Sequence, residues 1–257
     1  MEVEHSLGGL PCLSLGAGPP LVVLLFTPQA AIPVGLGRRY LMRLVKPFTE
    51  HFTVHALNRR PGLPPGTTMA DLAAHYAEGI EAAFTGPVNV LGLSTGGSLA
   101  LQLAADRPGL VSRLVLGGTA AAPGPVCDRA NRAYVERARR GRRPSPPLAD
   151  LVTESAIGRI LVGVLAWLAD GRGDHTDGAT MLNAEIGFDL RARLPEITAP
   201  TLLIQGQKDL AYPLELARQT VDGIPGAKLI VYPGRSHGAT FTDPRFAADA
   251  LAFLRSA

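Results

Sequence analysis

A chain of 257 residues with 46% apolar and 18% charged side chains has room for one full core and matches neither disordered nor fibrous composition. Its formal charge of +3 rests on arginine, since lysine occurs only at Lys46, Lys208 and Lys228. The one dense basic run, Arg137, Arg139, Arg140, Arg142 and Arg143, carries no interleaved aromatics, so no nucleic-acid partner is expected and the run reads as a solvated face.

The longest apolar run, Leu21 to Phe26, is far too short to span a bilayer, so no membrane partner is expected. The start, Met1-Glu2-Val3-Glu4, is acidic and unlike a secretory signal, and points to a cytoplasmic protein. Neither Cys12 nor Cys127 falls in a C-x-x-C or Cys/His spacing, so no metal site is expected and both thiols should be reduced.

In chain order, Val3 to His5 and Cys12 to Leu15 flank Gly8-Gly9 and read as a β-hairpin. Leu21 to Phe26 reads as a strand buried on both faces. Gly35 to Phe48 is helical in pattern, with Tyr40, Leu41, Leu44 and Val45 on one face, and Phe52 to Leu57 is the next strand. Thr68 to Asp71 has the form of a capping box opening a helix through Leu72, Tyr76, Ile80 and Phe84. Pro87 to Leu91 and Val111 to Leu116 are strands on either side of a helix that ends near Pro108. This alternation predicts an α/β fold: a mostly parallel, eight-stranded sheet with helices on both faces.

From about Thr119 to Pro195 the alternation stops. Helices are predicted over Asp128 to Arg140, Leu148 to Asp170 and Asp177 to Arg193, separated by Pro144-Ser145-Pro146-Pro147 and by Gly171-Arg172-Gly173. Residues 119–195 therefore read as a helical cap inserted into a core made of residues 1–118 and 196–257. The apolar surface of the middle helix makes Ile157, Leu161 and Trp167 candidate substrate contacts, although burying the insert on the core is the more usual role for such residues. Alternation resumes with a strand at Thr201 to Ile204, a helix at Pro213 to Val221, a strand at Lys228 to Tyr232 and a last helix from Asp243-Pro244 to Leu254.

The stretch Asn89 to Ser98 sits at the centre of this pattern. Gly92-Leu93-Ser94-Thr95-Gly96 is a G-x-S-x-G match between a strand and a helix. A serine on so sharp a bend has an exposed hydroxyl and needs small neighbours, and the amide after it faces any oxyanion that forms there. A serine hydroxyl attacks only if an imidazole accepts its proton and a carboxylate orients that imidazole. Of six histidines, His5, His51, His55, His75 and His175 fall in predicted strands or helices, near a helix end, or in the insert. His237 follows a strand in the loop Pro233 to Gly238. Asp209, in Gly206-Gln207-Lys208-Asp209, follows the strand before it.

The elbow Gly92 to Gly96, the acid loop from Ala199-Pro200 to Asp209 and the loop Gly234 to Gly238 together resemble capped serine hydrolases of the α/β-hydrolase superfamily, of the kind common in actinobacteria. The resemblance implies that Ser94 attacks, His237 is base and then acid, Asp209 fixes the imidazole tautomer, and no cofactor is needed. It also implies an oxyanion hole from the Thr95 amide and a second amide after the third strand. There the chain departs from the family's His-Gly, reading Leu25-Phe26-Thr27-Pro28; proline has no N–H, which leaves Thr27 as the candidate. Relatives that use an aspartate nucleophile do not fit Ser94.

The expected function is hydrolysis of an ester, thioester or lactone of a small, largely apolar molecule through an acyl-serine. Two readings stand beside it: tailoring chemistry on the same fold, such as C–C hydrolysis or cyclisation, and a ligand-binding member without turnover. Arg59 and Arg60, opening a loop at the same sheet edge, offer either a contact for a substrate carboxylate or local ion pairs.

Overall fold

The computed structural model describes residues 2–152, 155–170 and 173–256. Eight strands form one sheet in the order β1-β2-β4-β3-β5-β6-β7-β8. They run Val3–Leu7, Leu10–Gly16, Pro20–Leu25, Thr53–Leu57, Val88–Leu93, Val111–Gly117, Thr201–Gly206 and Lys228–Tyr232. The β1-β2-β4 pairings are antiparallel and all others parallel. The parallel strands therefore end on one edge of the sheet, where ligands bind in such folds.

Two apolar layers explain the strand sequences. On one face Val22, Leu24, Val90 and Leu114 pack with α2 (Met69–Ala83) and α3 (Thr95–Asp106). On the other, Leu21, Val23, Leu91 and Val115 pack with α1 (Gly35–Val45) and α9 (Pro244–Leu254). Neighbouring residues of one strand thus feed opposite cores, which is why these strands read as unbroken apolar runs. Each such leucine or valine, fully buried, contributes roughly 1.5–3 kcal/mol. The capping box of α2 forms as expected: Thr68 Oγ1 accepts from the Asp71 amide at 3.2 Å, and Asp71 accepts from the Thr68 amide at 2.9 Å.

Between β6 and β7 lies the helical insert: α4 (Pro125–Arg139), a 3₁₀ helix (Pro146–Leu151), α5 (Ala156–Ala169), α6 (Thr176–Glu185) and a 3₁₀ turn (Arg191–Glu196). Here the sequence expectations need correction. The predicted helix over Leu148 to Asp170 is two elements, because Pro146 and Pro147 start a tight 3₁₀ helix with its own end. The expectation across Thr153 and Glu154 lies outside the described residues, as does that for Gly171-Arg172. The third predicted helix stops at Glu185 rather than Arg193, because Gly187 adopts φ +74° two residues later.

The apolar surface of α5 also points the other way. Gly163 is the buried position in the middle of the helix, with Pro146 and Ala149 of the 3₁₀ helix 3.6–3.9 Å from where its Cβ would be. Packing through the small residues leaves the large ones in solvent: Ile157 is 72% exposed, Leu161 61% and Trp167 44%. Among the described residues, no helix is long and apolar enough to cross a membrane.

Candidate active site

Ser94 is the last residue before α3 and, among the described residues, the only non-glycine with positive φ (54°). Such a conformation is strained and holds the side chain out over the strand ends. The glycines around it are needed for space. A Cβ on Gly92 would meet Ala100 and Gly97 at 2.7 Å, and one on Gly96 would run into the Leu24 carbonyl and Leu25 Cα.

Three loops bring the expected side chains together at this edge. Ser94 Oγ lies 2.9 Å from His237 Nε2, and His237 Nδ1 lies 2.9 Å from Asp209 Oδ2. The other carboxylate oxygen of Asp209 accepts from the amides of Ala211 (2.8 Å) and Tyr212 (2.9 Å). With the carboxylate so anchored, Nδ1 donates to Asp209 and the Nε2 lone pair faces the serine hydroxyl. His237 opens the short helix α8 (His237–Phe241), and its ring is stacked on Tyr212 (5.8 Å, 28°) and edge-on to Phe241 (5.3 Å). Gly118, at φ +56°, keeps the neighbouring strand end clear; a Cβ there would meet Phe241 at 2.8 Å and both Asp209 and His237 at 3.4 Å.

The Thr95 amide is at the start of α3 and finds no acceptor among the described residues. In the turn after β3, the hydroxyl of Thr27 donates to the Gln29 carbonyl (2.8 Å), and Thr27 lines an adjoining cavity rather than the one that holds Ser94. Phe26 lines the Ser94 cavity, and the backbone amides of both Phe26 and Thr27 lack an acceptor among the described residues. Arg59 is fully buried beneath this turn, donating to the carbonyls of Thr27 (2.7 Å) and Pro28 (3.0 Å). Burial pulls its guanidinium below the ordinary arginine range. Arg59 thus props the turn, while Arg60 pairs with Glu78 on the surface at 2.8 Å.

The cavity at Ser94 has a volume of about 220 Å³, room for roughly seven waters at ~30 Å³ each. Its core-side wall includes Leu25, Phe26, Leu93 and Phe241; its insert-side wall is Cys127, Asn131, Leu148, Leu151, Val152 and Leu182. Ile157, Leu161 and Trp167, expected as substrate contacts, are absent from it: α4, the 3₁₀ helix and α6 form the wall, and α5 lies outside.

Sequence reasoning missed Glu185. It is completely buried, yet its carboxylate accepts from Thr95 Oγ1 (2.8 Å), Asn131 Nδ2 (3.0 Å) and Tyr212 Oη (2.6 Å). Burial, with the Glu185 carboxylate adding to it, holds the Tyr212 phenol well above the ordinary range, and burial does the same to the Cys127 thiol. The signal was available: Gly178, Leu182 and Glu185 share the buried stripe of α6, and a carboxylate on such a stripe demands partners.

The cysteine spacing did not show one side-chain cluster. Strand pairing sets His5 opposite Cys12 and Ser14 opposite His55, so His5, Cys12 and His55 bring possible ligand atoms within 4.8 Å of one another at the β1 side of the sheet. Both imidazoles are hydrogen-bonded to Ser14 Oγ, at 2.7 and 2.8 Å, and burial pushes the Cys12 thiol up, away from the thiolate that metals prefer.

A strained serine, an imidazole and a carboxylate in hydrogen-bonded series on the carboxyl edge of a parallel sheet define a hydrolase-like site. The model of the alpha/beta hydrolase family matches residues 35–250, and the chain belongs to that family. It is 28% identical over 211 residues to "Putative carbamate hydrolase RutD" of Caulobacter vibrioides, covering 76% of this chain and 75% of the other. It is 27% identical over 215 residues to the pimeloyl-[acyl-carrier protein] methyl ester esterase of Nitrosomonas europaea, covering 78% and 84%. Among solved structures, the enol-lactonase of Burkholderia xenovorans LB400 superposes with a TM-score of 0.75 at 22% identity, covering 99% of this chain and 100% of that one, a likeness of fold. Family and relatives make the protein a hydrolase.

Proposed function

We propose that the protein hydrolyses an ester, thioester or lactone bond of a small substrate through an acyl-Ser94 intermediate. The observation that carries this is the unbroken series Ser94 Oγ–His237–Asp209, each link 2.9 Å, at the strained bend. His237 Nε2 takes the hydroxyl proton as Oγ bonds to the carbonyl carbon, then gives that proton to the departing alcohol or thiol. Water, activated the same way, breaks the acyl–serine bond and releases the acid. The Thr95 amide stabilises the oxyanion of both tetrahedral intermediates, with the turn Phe26–Thr27 as the source of the second N–H. Asp209 holds the imidazole in the tautomer that the transfer needs.

The small apolar cavity favours a short, largely apolar substrate body. The esterase relative acts on a methyl ester by its name, and the RutD relative is named for carbamates, which present the same carbonyl to a serine. The test is labelling by a fluorophosphonate probe together with turnover of p-nitrophenyl esters of increasing chain length. Both are expected in the native protein and lost in Ser94→Ala. Labelling that persists in Ser94→Ala, or tight ligand binding with no turnover, would defeat the proposal.

A further inference from the structure

Resting on that reading, we infer that Asn131 selects substrates whose acyl half carries an N–H or O–H donor close to the scissile carbonyl. The fully buried Glu185 carboxylate is an acceptor, and it takes Asn131 Nδ2 at 3.0 Å. That contact settles which way the amide faces: its nitrogen points to Glu185, and its carbonyl oxygen is the end left over. Asn131 lines the Ser94 cavity, and no described residue donates to Oδ1. Nor is Oδ1 among the sealed side-chain atoms that lack a partner, so it keeps contact with open space.

An acceptor in an otherwise apolar pocket is unfavourable unless something donates to it. Water can fill that place in the empty site. A bound molecule that displaces the water must bring its own donor or lose affinity. The position of the amide says which half of the substrate is concerned. Asn131 and Thr95 bond to the same carboxylate oxygen, Glu185 Oε2, at 3.0 and 2.8 Å. Asn131 is thereby tied to the residue whose amide faces the oxyanion, and it is to the acyl half that we assign it, since the leaving group must lie where His237 can protonate it. The chemistry that fits is a 2-hydroxyacyl or carbamoyl group rather than a plain alkanoyl group.

The experiment compares p-nitrophenyl glycolate with p-nitrophenyl propionate, which differ by hydroxyl against methyl at equal size. The ratio of their kcat/KM values, divided by the ratio of their hydroxide-catalysed rates, should be at least tenfold in favour of glycolate. Asn131→Leu should bring it to about one, and Glu185→Gln, which releases the amide to turn over, should lower it as well. A native ratio near one overturns the inference whether or not the variants fold, and so does a high ratio unchanged in both variants. If neither ester turns over and no probe labels Ser94, the hydrolase proposal has failed instead. The binding preference is then read by NMR titration of Ser94→Ala with glycolamide and propionamide; equal affinities would sink it.

Discussion

The two sides of the Ser94 cavity are built differently. On the core side every group is held by backbone: Ser94 by a bend with φ 54°, Asp209 by two amides, and His237 by its place at the start of α8. On the insert side the wall is made of side chains, and one link between insert and core is a buried carboxylate with three donors, Thr95 and Tyr212 from the core and Asn131 from α4. A fixed edge can serve many reactions, while the groups across the cavity decide what reaches it. In this fold, function is argued from such grafted sites and not from the sheet.

The sharpest way to break this comparison is to remove the chemistry and keep both walls. Ser94→Ala and His237→Gln should each lower kcat/KM for a p-nitrophenyl ester by ~10⁴-fold or more, because the two act as a unit. Thermal unfolding of Ser94→Ala should stay close to that of the native protein or rise, since the variant removes no packed group at a strained position. Retention of more than a hundredth of the activity in Ser94→Ala would place the reaction elsewhere.

The next effect separates the two regions by stability. Gly96→Ala pushes a methyl group into the β3 backbone, which cannot yield, and should destabilise by on the order of 3 kcal/mol or prevent folding. Gly163→Ala, inside α5, meets Pro146 and Ala149 only at 3.6–3.9 Å, ordinary contact distance. It should stabilise by up to ~1 kcal/mol through helix propensity. Urea unfolding of both variants checks the pair, and equal destabilisation would mean that the insert packs as tightly as the core.

The same contrast governs what could be read from sequence. The core was legible because strand and helix periods, turn glycines and a capping box all agree locally, and because the order Ser94, Asp209, His237 is a topological statement. The insert was not, since its apolar residues offer two faces and nothing local says which is buried; Gly163, not Leu161, turned out to choose. That Glu185, Asn131 and Tyr212 meet was invisible for a related reason, although the stripe of α6 marked Glu185 as a buried carboxylate in need of partners. They come from α6, α4 and the loop after β7, and only the packing of the insert on the core makes them neighbours. Thr27 was read from the missing N–H of Pro28, an argument that identifies a turn but not which peptide faces the serine.

A smaller effect concerns the loop that presents His237. Asp243 caps α9 by accepting from the Arg245 amide at 3.0 Å and pairs with Arg235 (2.7 Å) and the Arg245 side chain (2.9 Å), so its carboxyl is held well below the usual carboxylate range. A depressed folded pKa stabilises above the unfolded value and is lost as pH falls through the folded one. Asp243→Asn keeps a capping oxygen but loses the charge. It should lower stability by on the order of 1 kcal/mol at pH 7, given half-exposed arginine partners. The gap between native and variant melting temperatures should shrink steadily below about pH 4. A gap that is constant down to strongly acid pH would show that the ion pairs contribute nothing.

The smallest change tests the wall itself. Leu148 lines the cavity from the 3₁₀ helix, whereas Leu161, thirteen positions on in the same apolar-rich segment, is 61% exposed on α5. Leu148→Ala widens the cavity by several methyl-sized volumes and should shift the preferred acyl chain to a longer one, seen as a several-fold change in relative kcat/KM across a p-nitrophenyl ester series. Leu161→Ser should leave the series within about twofold while reducing exposed apolar surface. The two substitutions remove similar apolar groups from the same insert, so composition cannot account for a difference between them. Only the direction in which α5 packs can, and a chain-length shift in Leu161→Ser would mean that this helix turns its other face to the substrate during turnover.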